Sequence, residues 1–313
     1  MNSIIERTAL KVLEKEKLES EDILNISELN LNSMELTEIS DLAKFKNLKK
    51  LELNDNYLSD LSPLSELTNL EELYAWNDPF KSDEEKAAEK GRNIFSDMSF
   101  IENLSSLKEI DFTYTGINNI DFVKWLPNLE IMRVYCNDIT DISPIHKLKK
   151  LKQVFFFDCG LADISVFAQL PDIEGIAINM NTISDLSPLT GCRQITYLDA
   201  HTNKITDIAA LSEMTEMRYL TLTENNINDI TALAEMTEIK YLTLAKNSIT
   251  DIGPLAGMSK LSHLTLCSNP GLTDFSVLKN LTELKHLGLR DSNITEAELD
   301  ELRIELKECN ISI

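Results

Sequence analysis

Aliphatic residues recur along this chain at a fixed interval. Ile239 to Met258 read IKYLTLAKNSITDIGPLAGM, Met217 to Met236 read MRYLTLTENNINDITALAEM, and Ile195 to Met214 read ITYLDAHTNKITDIAALSEM. The shared pattern is L-x-x-L-x-L-x-x-N-x-I-x-D-I-x-P-L-x-x-L with a period of 22 residues. Its first position falls at Ile26, Leu48, Leu70, Leu107, Leu129, Leu151, Ile173, Ile195, Met217, Ile239, Leu261 and Leu284. The spacing is 22 throughout, apart from 37 between Leu70 and Leu107 and 23 before Leu284. Twelve repeats at one period are beyond coincidence. Within each L-x-L, alternation of period two predicts a short strand with its leucines on one side. The next strand lies one repeat later and parallel, so each coil buries its leucines against its neighbours and none is stable alone.

With this period and its D-I-x-P-L segment, the pattern resembles the leucine-rich repeat family. It is similar to the subclass found in bacterial internalins and in the leucine-rich regulatory subunit of protein phosphatase 1. The resemblance covers residues 20 to 294, and ESEDILNISELNLN looks like the end of an internalin-type cap. It implies an α/β fold: a right-handed leucine-rich repeat solenoid with a parallel concave sheet, short 3-10 or irregular convex segments, and helical caps. The sequence reads without a secretion signal or a cell-wall anchoring tail, so the expectation departs here from the internalins.

Two polar columns accompany the aliphatic ones. Asn56, Asn137, Asn181, Asn203, Asn225, Asn247 and Asn269 sit where a side chain can satisfy the backbone of adjacent coils. The exceptions are Met34, Asp78, Thr115, Cys159 and Ser292. Asp60, Asp97, Asp141, Asp163, Asp185, Asp207, Asp229, Asp251 and Asp274 are placed to accept hydrogen bonds from the turn that follows each. An acidic ion-binding strip is the sharper alternative; architecture is the expectation. The ends need covering. Ile4, Ile5, Leu10, Val12, Leu13 and Leu18 form a loosely helical cap in residues 1–25. Residues 26–294 carry the repeats, with an insertion at about 79–93. In 295–313, Thr295-x-x-Glu298 is a capping box opening a helix with Leu299, Leu302 and Leu306 on one face, before an edge strand at Asn310 to Ile313. One elongated domain would account for the whole.

Function is to be sought where the repeat breaks or where outward positions carry unusual residues. The third, fifth and seventh positions of each repeat face out from the sheet. Tyr74, Trp76, Ile131, Arg133, Tyr135, Phe155 and Phe157 form one patch there, with Phe156 turned inward between the last two. Exposed aromatic and Arg clusters mark partner surfaces; simple packing of cross-strand neighbours is the competing explanation. Tyr197, Tyr219, Tyr241, His263 and His286 form a second column, better explained as a stacked ladder than as a site. In the insertion, Ser82-x-x-Glu85 opens a helix-forming run ending at Gly91. It is either a solvated helix or a rim element beside the first patch.

Charge narrows the partner. Lys and Arg number 30 against 52 Asp and Glu, a net of −22, which repels phosphate backbones and anionic lipid. A basic or polar protein is the expected partner, with no nucleic acid and no membrane, and the protein itself monomeric. No apolar run reaches the 18 residues of a membrane span, and the five cysteines are odd in number without a CxxC pair, as in reduced cytoplasmic proteins. A cytoplasmic location follows, secreted if an export signal has been removed. Catalysis has no support: there is no phosphate-binding glycine loop, G-x-S-x-G or H-E-x-x-H. Among the four histidines, His263 and Cys267 share a face but stand about 13 Å apart along the strand, too far to ligate one metal. The expectation is therefore a non-enzymatic scaffold without cofactor or metal, binding a protein on its concave face. The alternatives are an intracellular inhibitor or immunity protein for a basic toxin, and an internalin-like adhesin.

Overall fold

Parallel strands three residues long, one per repeat, set the architecture of the computed structural model, which describes residues 3–19, 21–82 and 91–313. The chain divides into two compact units, Met1–Cys159 and Gly160–Ile313. The first opens with helix α1 (Ser3–Leu13) and carries strands β1 (Glu28–Asn30), β2 (Lys50–Glu52), β3 (Glu72–Tyr74), β4 (Glu109–Asp111), β5 (Ile131–Arg133) and β6 (Gln153–Phe155). They pair parallel in sequence order, for example Leu29 opposite Leu51 and Leu73 opposite Ile110. The second carries β7 (Gly175–Ala177), β8 (Tyr197–Asp199), β9 (Tyr219–Thr221), β10 (Tyr241–Thr243), β11 (His263–Thr265), β12 (His286–Gly288), helix α2 (Glu296–Glu305) and β13 (Asn310–Ser312). These too pair parallel in order, with Leu220 opposite Leu242 and Leu287 opposite Ile311. The central residue of each strand from β1 to β12 is buried, and the apolar residue two positions on is buried with it (Leu51 and Leu53; Leu242 and Leu244). Each coil returns through a 3-10 turn, such as Ser62–Glu66 or Ala209–Leu211, whose leucine closes the core from the other side.

The two polar columns do what their spacing predicts. Asn225 donates from Nδ2 to the carbonyls of Ala200 at 3.0 Å and Leu222 at 3.1 Å, while its Oδ1 accepts from Ile205 N at 3.0 Å. One side chain thus satisfies three backbone groups of two coils, and Asn137, Asn203, Asn247 and Asn269 repeat the pattern. The aspartates each accept from the backbone N–H two residues on, at 2.7 Å from Ser62 to Asp60 and 2.9 Å from Ser276 to Asp274. That bond opens the 3-10 turn and, named first among its causes, lowers the pKa of Asp97, Asp141, Asp185, Asp229 and Asp274. Just before the ladder position the backbone enters the left-handed region at non-glycine residues: Asp55 (φ 51°), Cys136 (54°), Thr202 (54°), Lys246 (53°). The reversal needs that conformation, and the ladder asparagine holds it in place.

The insertion brings a difference from the sequence pattern. The ladder place of the third coil belongs not to Asp78 but to Asn93, whose Nδ2 donates to Leu53 O at 2.9 Å and Ala75 O at 3.1 Å and whose Oδ1 accepts from Leu58 N at 3.0 Å. The coil therefore leaves after Asn77 and re-enters at Asn93. Subtracting the 22-residue period from the 37-residue gap leaves 15 inserted residues, 78–92. Asp55 anchors the outgoing stem, accepting from Asp78 N at 3.1 Å and Lys81 Nζ at 2.8 Å. The helix predicted after Ser82 lies over residues 83–90, outside the described residues.

The caps follow simple rules. Thr295 and Glu298 form the reciprocal capping box, with Thr295 N to Glu298 Oε2 at 2.9 Å, and Leu299, Leu302 and Leu306 are buried. In α1 the buried face is Ile5 and Ala9, one turn apart, whereas Val12 is exposed. A single turn of apolar contact is enough to close the first coil.

Candidate functional site

In the first unit, the strand faces pointing to solvent gather all seven residues of the aromatic patch. Tyr74, Trp76, Ile131, Arg133, Tyr135, Phe155 and Phe157 are half-buried, and Phe156 between the last two is 0% exposed. Parallel register places Tyr74 beside Asp111, Asp111 beside Arg133, and Arg133 beside Phe155. The Tyr135 and Phe157 rings stack at 4.1 Å, and the Arg133 guanidinium lies 5.0 Å from the centre of Phe155 while pairing with Glu109. Lys50 lies 5.0 Å from the Tyr74 ring, whose hydroxyl donates to Glu72 at 3.0 Å. Burial, with Glu109 nearby, pushes the Tyr74 hydroxyl pKa well up, and burial does the same to Tyr135.

Sequence reasoning missed Phe80. It is 74% exposed and stacks on Phe157 at 6.1 Å, extending the aromatic surface onto the stem of the insertion. The signal was a lone ring in an otherwise charged segment, PFKSDEEK, but only the folded chain shows where it lands. Asp111 was likewise passed over. Its carboxylate faces outward on β4 yet is only 6% exposed, and burial raises its pKa to about 6 against the bonds from Thr113 and the charge of Arg133. On the outward positions from Glu28 to Phe157 there are five carboxylates (Glu28, Glu52, Glu72, Glu109, Asp111) against two cations (Lys50, Arg133), a net of three negative charges.

In the second unit the tyrosine column is a continuous stack. Ring separations are 4.7 Å for Tyr197–Tyr219, 4.5 Å for Tyr219–Tyr241 and 4.2 Å for Tyr241–His263, with planes within 13° of parallel. His286 follows at 5.6 Å and is tilted. The rings cover each other's faces. Burial raises the Tyr197 hydroxyl pKa to about 12, and burial beside His286 lowers that of His263. Next to it, Asn179 Nδ2 meets His201 Nε2 at 3.1 Å, and His201 Nδ1 meets Thr202 Oγ1 at 2.9 Å. Thr202 donates on to Glu224, which also pairs with Lys246. Among the described residues no three His, Cys, Asp or Glu side chains converge on a metal site, and no helix is long and apolar enough to cross a membrane. A depression of about 560 Å³ lies among the turns, lined by Thr206, Asp207, Asn228 and Thr231, away from both aromatic columns.

A family model described as Leucine Rich repeats (2 copies) matches residues 237–280. No curated protein matches the sequence. Among solved structures, the chain is similar to an internalin, inlF, of Listeria monocytogenes, at 26% identity and a TM-score of 0.87, covering 99% of this chain and 88% of that one. It is similar in fold to a leucine-rich repeat protein of Leptospira interrogans, at 20% identity and a TM-score of 0.69, over 93% and 84% of the two chains. A plant peptide hormone receptor, RGFR1, solved in complex with RGF2, matches at 16% identity and a TM-score of 0.66, over 88% of this chain and 46% of the receptor. The 22-residue period, the asparagine ladder and the parallel strands together make the chain a leucine-rich-repeat protein whose repeats resemble those of the internalins.

Proposed function

We propose that this protein is a non-enzymatic recognition scaffold that binds a basic protein partner through the outward sheet face of its first unit, the concave face of the repeat fold. The observation that carries this is the run of half-exposed rings, Tyr74, Trp76, Tyr135, Phe155 and Phe157, continued by Phe80 and set among carboxylates. Burying such rings drives association, while the charge excess steers and selects a cationic partner. The plant receptor solved with its peptide hormone shows this fold accommodating a polypeptide ligand. On this reading the protein is monomeric, with residues 1–25 and 295–313 as caps and the described stem of the 78–92 insertion, through Phe80, at the rim of the site. It needs no cofactor and engages neither nucleic acid nor membrane. A cytoplasmic setting suits five cysteines that form no disulfide among the described residues. The net charge of −22 favours, within this class, an inhibitor of a basic protein over a surface adhesin.

The test is capture of a partner from the native cell by wild type and by a Phe155→Ser/Phe157→Ser double variant, followed by calorimetry. At about 2 kcal/mol or more per ring, affinity should fall at least several-hundredfold, with the fold intact and only a modest drop in melting from the lost ring contacts. Equal affinity in the double variant, with an intact fold, places the partner elsewhere.

A further inference from the structure

The N-terminal cap carries a surface that the sheet-face reading does not use. In α1, Ile4, Arg7, Thr8 and Lys11 stand at i, i+3, i+4 and i+7, one stripe of the helix beside the buried stripe of Ile5 and Ala9. Met34 of the first coil forms the opposite wall, and these five residues line an open depression of about 360 Å³. Thr8 Oγ1 donates to Ile4 O at 3.0 Å and lies 3.8 Å from Met34 Sδ, so the two walls meet there.

Met34 stands at that place because the asparagine ladder has no use for an amide in the first coil. In later coils the ladder Nδ2 donates to a carbonyl of the preceding coil, as Asn56 does to Leu31 O at 2.8 Å. The first coil has helix α1 in place of a preceding coil, and an apolar side chain meets it better than an amide does. The backbone is served from the next coil instead: Asn56 Oδ1 accepts from Met34 N at 3.1 Å and from Leu36 N at 3.0 Å.

The charges beside this apolar floor have one sign. Arg7 and Lys11 are exposed, and no carboxylate of the described residues lines the depression. Glu6 lies about 150° round the helix axis from the middle of the stripe. Lys15 pairs with Asp22 at 2.5 Å, whereas Lys11 makes no ion pair among the described residues, Glu14 and Glu35 included. In a chain of net charge −22, the groove reverses the prevailing sign.

We propose that this groove docks an acidic segment of a protein partner, with an aliphatic side chain seated between Ile4 and Met34 and its flanking carboxylates on Arg7 and Lys11. Charge complementarity selects the occupant. A basic segment would meet two like charges at the rim. An anionic lipid surface would meet the negative field of the whole chain over a wide contact. A short peptide meets the local pair alone, because at physiological ionic strength charges more than about 8 Å away are largely screened. The apolar row supplies affinity, and the charges at its edge set the register. This surface is independent of the sheet face, and either can stand without the other.

The probe is a blocked peptide about three helical turns long, with leucines at i, i+3, i+4 and i+7 and glutamates elsewhere. Its counterpart with lysines in place of the glutamates is the control, both at about 0.15 M salt. The readouts are the Met34 methyl resonance and the anisotropy of labelled peptide. The glutamate peptide should shift the Met34 methyl saturably, and the lysine peptide should leave it unmoved wherever else it binds. Lys11→Glu should weaken the glutamate peptide about tenfold, and Lys11→Arg should keep its affinity. Lys11 is exposed, so melting checks that both variants retain the fold. An unmoved Met34 methyl, or undiminished affinity in Lys11→Glu, would overturn the site. So would a Met34 shift that follows protein concentration alone, which makes a second copy the occupant. A shift with phosphatidylserine vesicles and none with the glutamate peptide would overturn it in favour of a lipid surface.

Discussion

The two units share one backbone recipe and differ in the side chains their outward strand positions carry. In the first, outward positions mix carboxylates with rings of unlike orientation; in the second they form an ordered column of stacked tyrosines beside threonines, with Asp199 and Arg290 the one carboxylate and one cation. Stacking covers ring faces with other rings, so the second unit has already satisfied much of what its aromatics offer. The first unit's rings meet unlike partners: Phe80 is mostly exposed, Phe155 meets a guanidinium, and the Asp111 carboxylate is buried beside Tyr74 in register. Aromatic content alone therefore does not identify a binding surface; the residual, unsatisfied part does.

The strongest way to break this comparison is to exchange the roles of the two columns. Tyr219→Ser with Tyr241→Ser should leave partner affinity within about threefold while lowering stability, because stacked pairs contribute about 0.5–1.5 kcal/mol each beyond their area. A loss of affinity as large as that of the Phe155/Phe157 variant would make the second unit the binding face. Phe156→Ala sharpens the contrast within one strand: as a fully buried ring it should cost roughly 3–5 kcal/mol in denaturant unfolding, where its two neighbours cost little.

Acidity separates the units differently. Asp111 has a folded pKa raised to about 6, so protonation favours the fold; that stabilisation is complete below the unfolded value near 3.8 and is lost as pH rises through 6. Melting of the wild type should therefore rise between pH 7 and 5, by about 1.3 kcal/mol of stability, and Asp111→Asn should remove that rise. The turn aspartates act in the opposite sense. Their pKa values are lowered, so their contribution is present above the ordinary carboxylate range and lost as pH falls through it, in both units. The smallest effect concerns the left-handed position. Met180→Gly relieves about 1–2 kcal/mol of backbone cost at φ 56° and adds about 0.5–1 kcal/mol of chain entropy, a net stabilisation near 0.5 kcal/mol by thermal melting.

Much of this was legible in the chain. The period gave strands β1 to β12, the turn aspartates and the asparagine ladder except in the third coil, because each depends on contacts at one fixed separation; the capping box and the last strand were legible from local pattern. Inward and outward positions followed from alternation alone, which is why Phe155, Phe156 and Phe157 were assigned correctly. The N-terminal helix was read less well: with one buried turn, a few aliphatic residues did not determine which face turns in.

What the sequence by itself determined is whatever the repeat imposes, since a motif copied at 22 residues meets its own copies as neighbours and has its packing defined by them. The tertiary structure alone decided what departs from the repeat. Asn93 replaced Asp78 in the ladder because a buried backbone demands an amide and the inserted chain could supply one. Phe80 came to rest on Phe157, and Asp111 lost its water to the rings around it. Those outcomes depend on which side chains from different coils share a particular few ångströms, and no period along the chain encodes that distance.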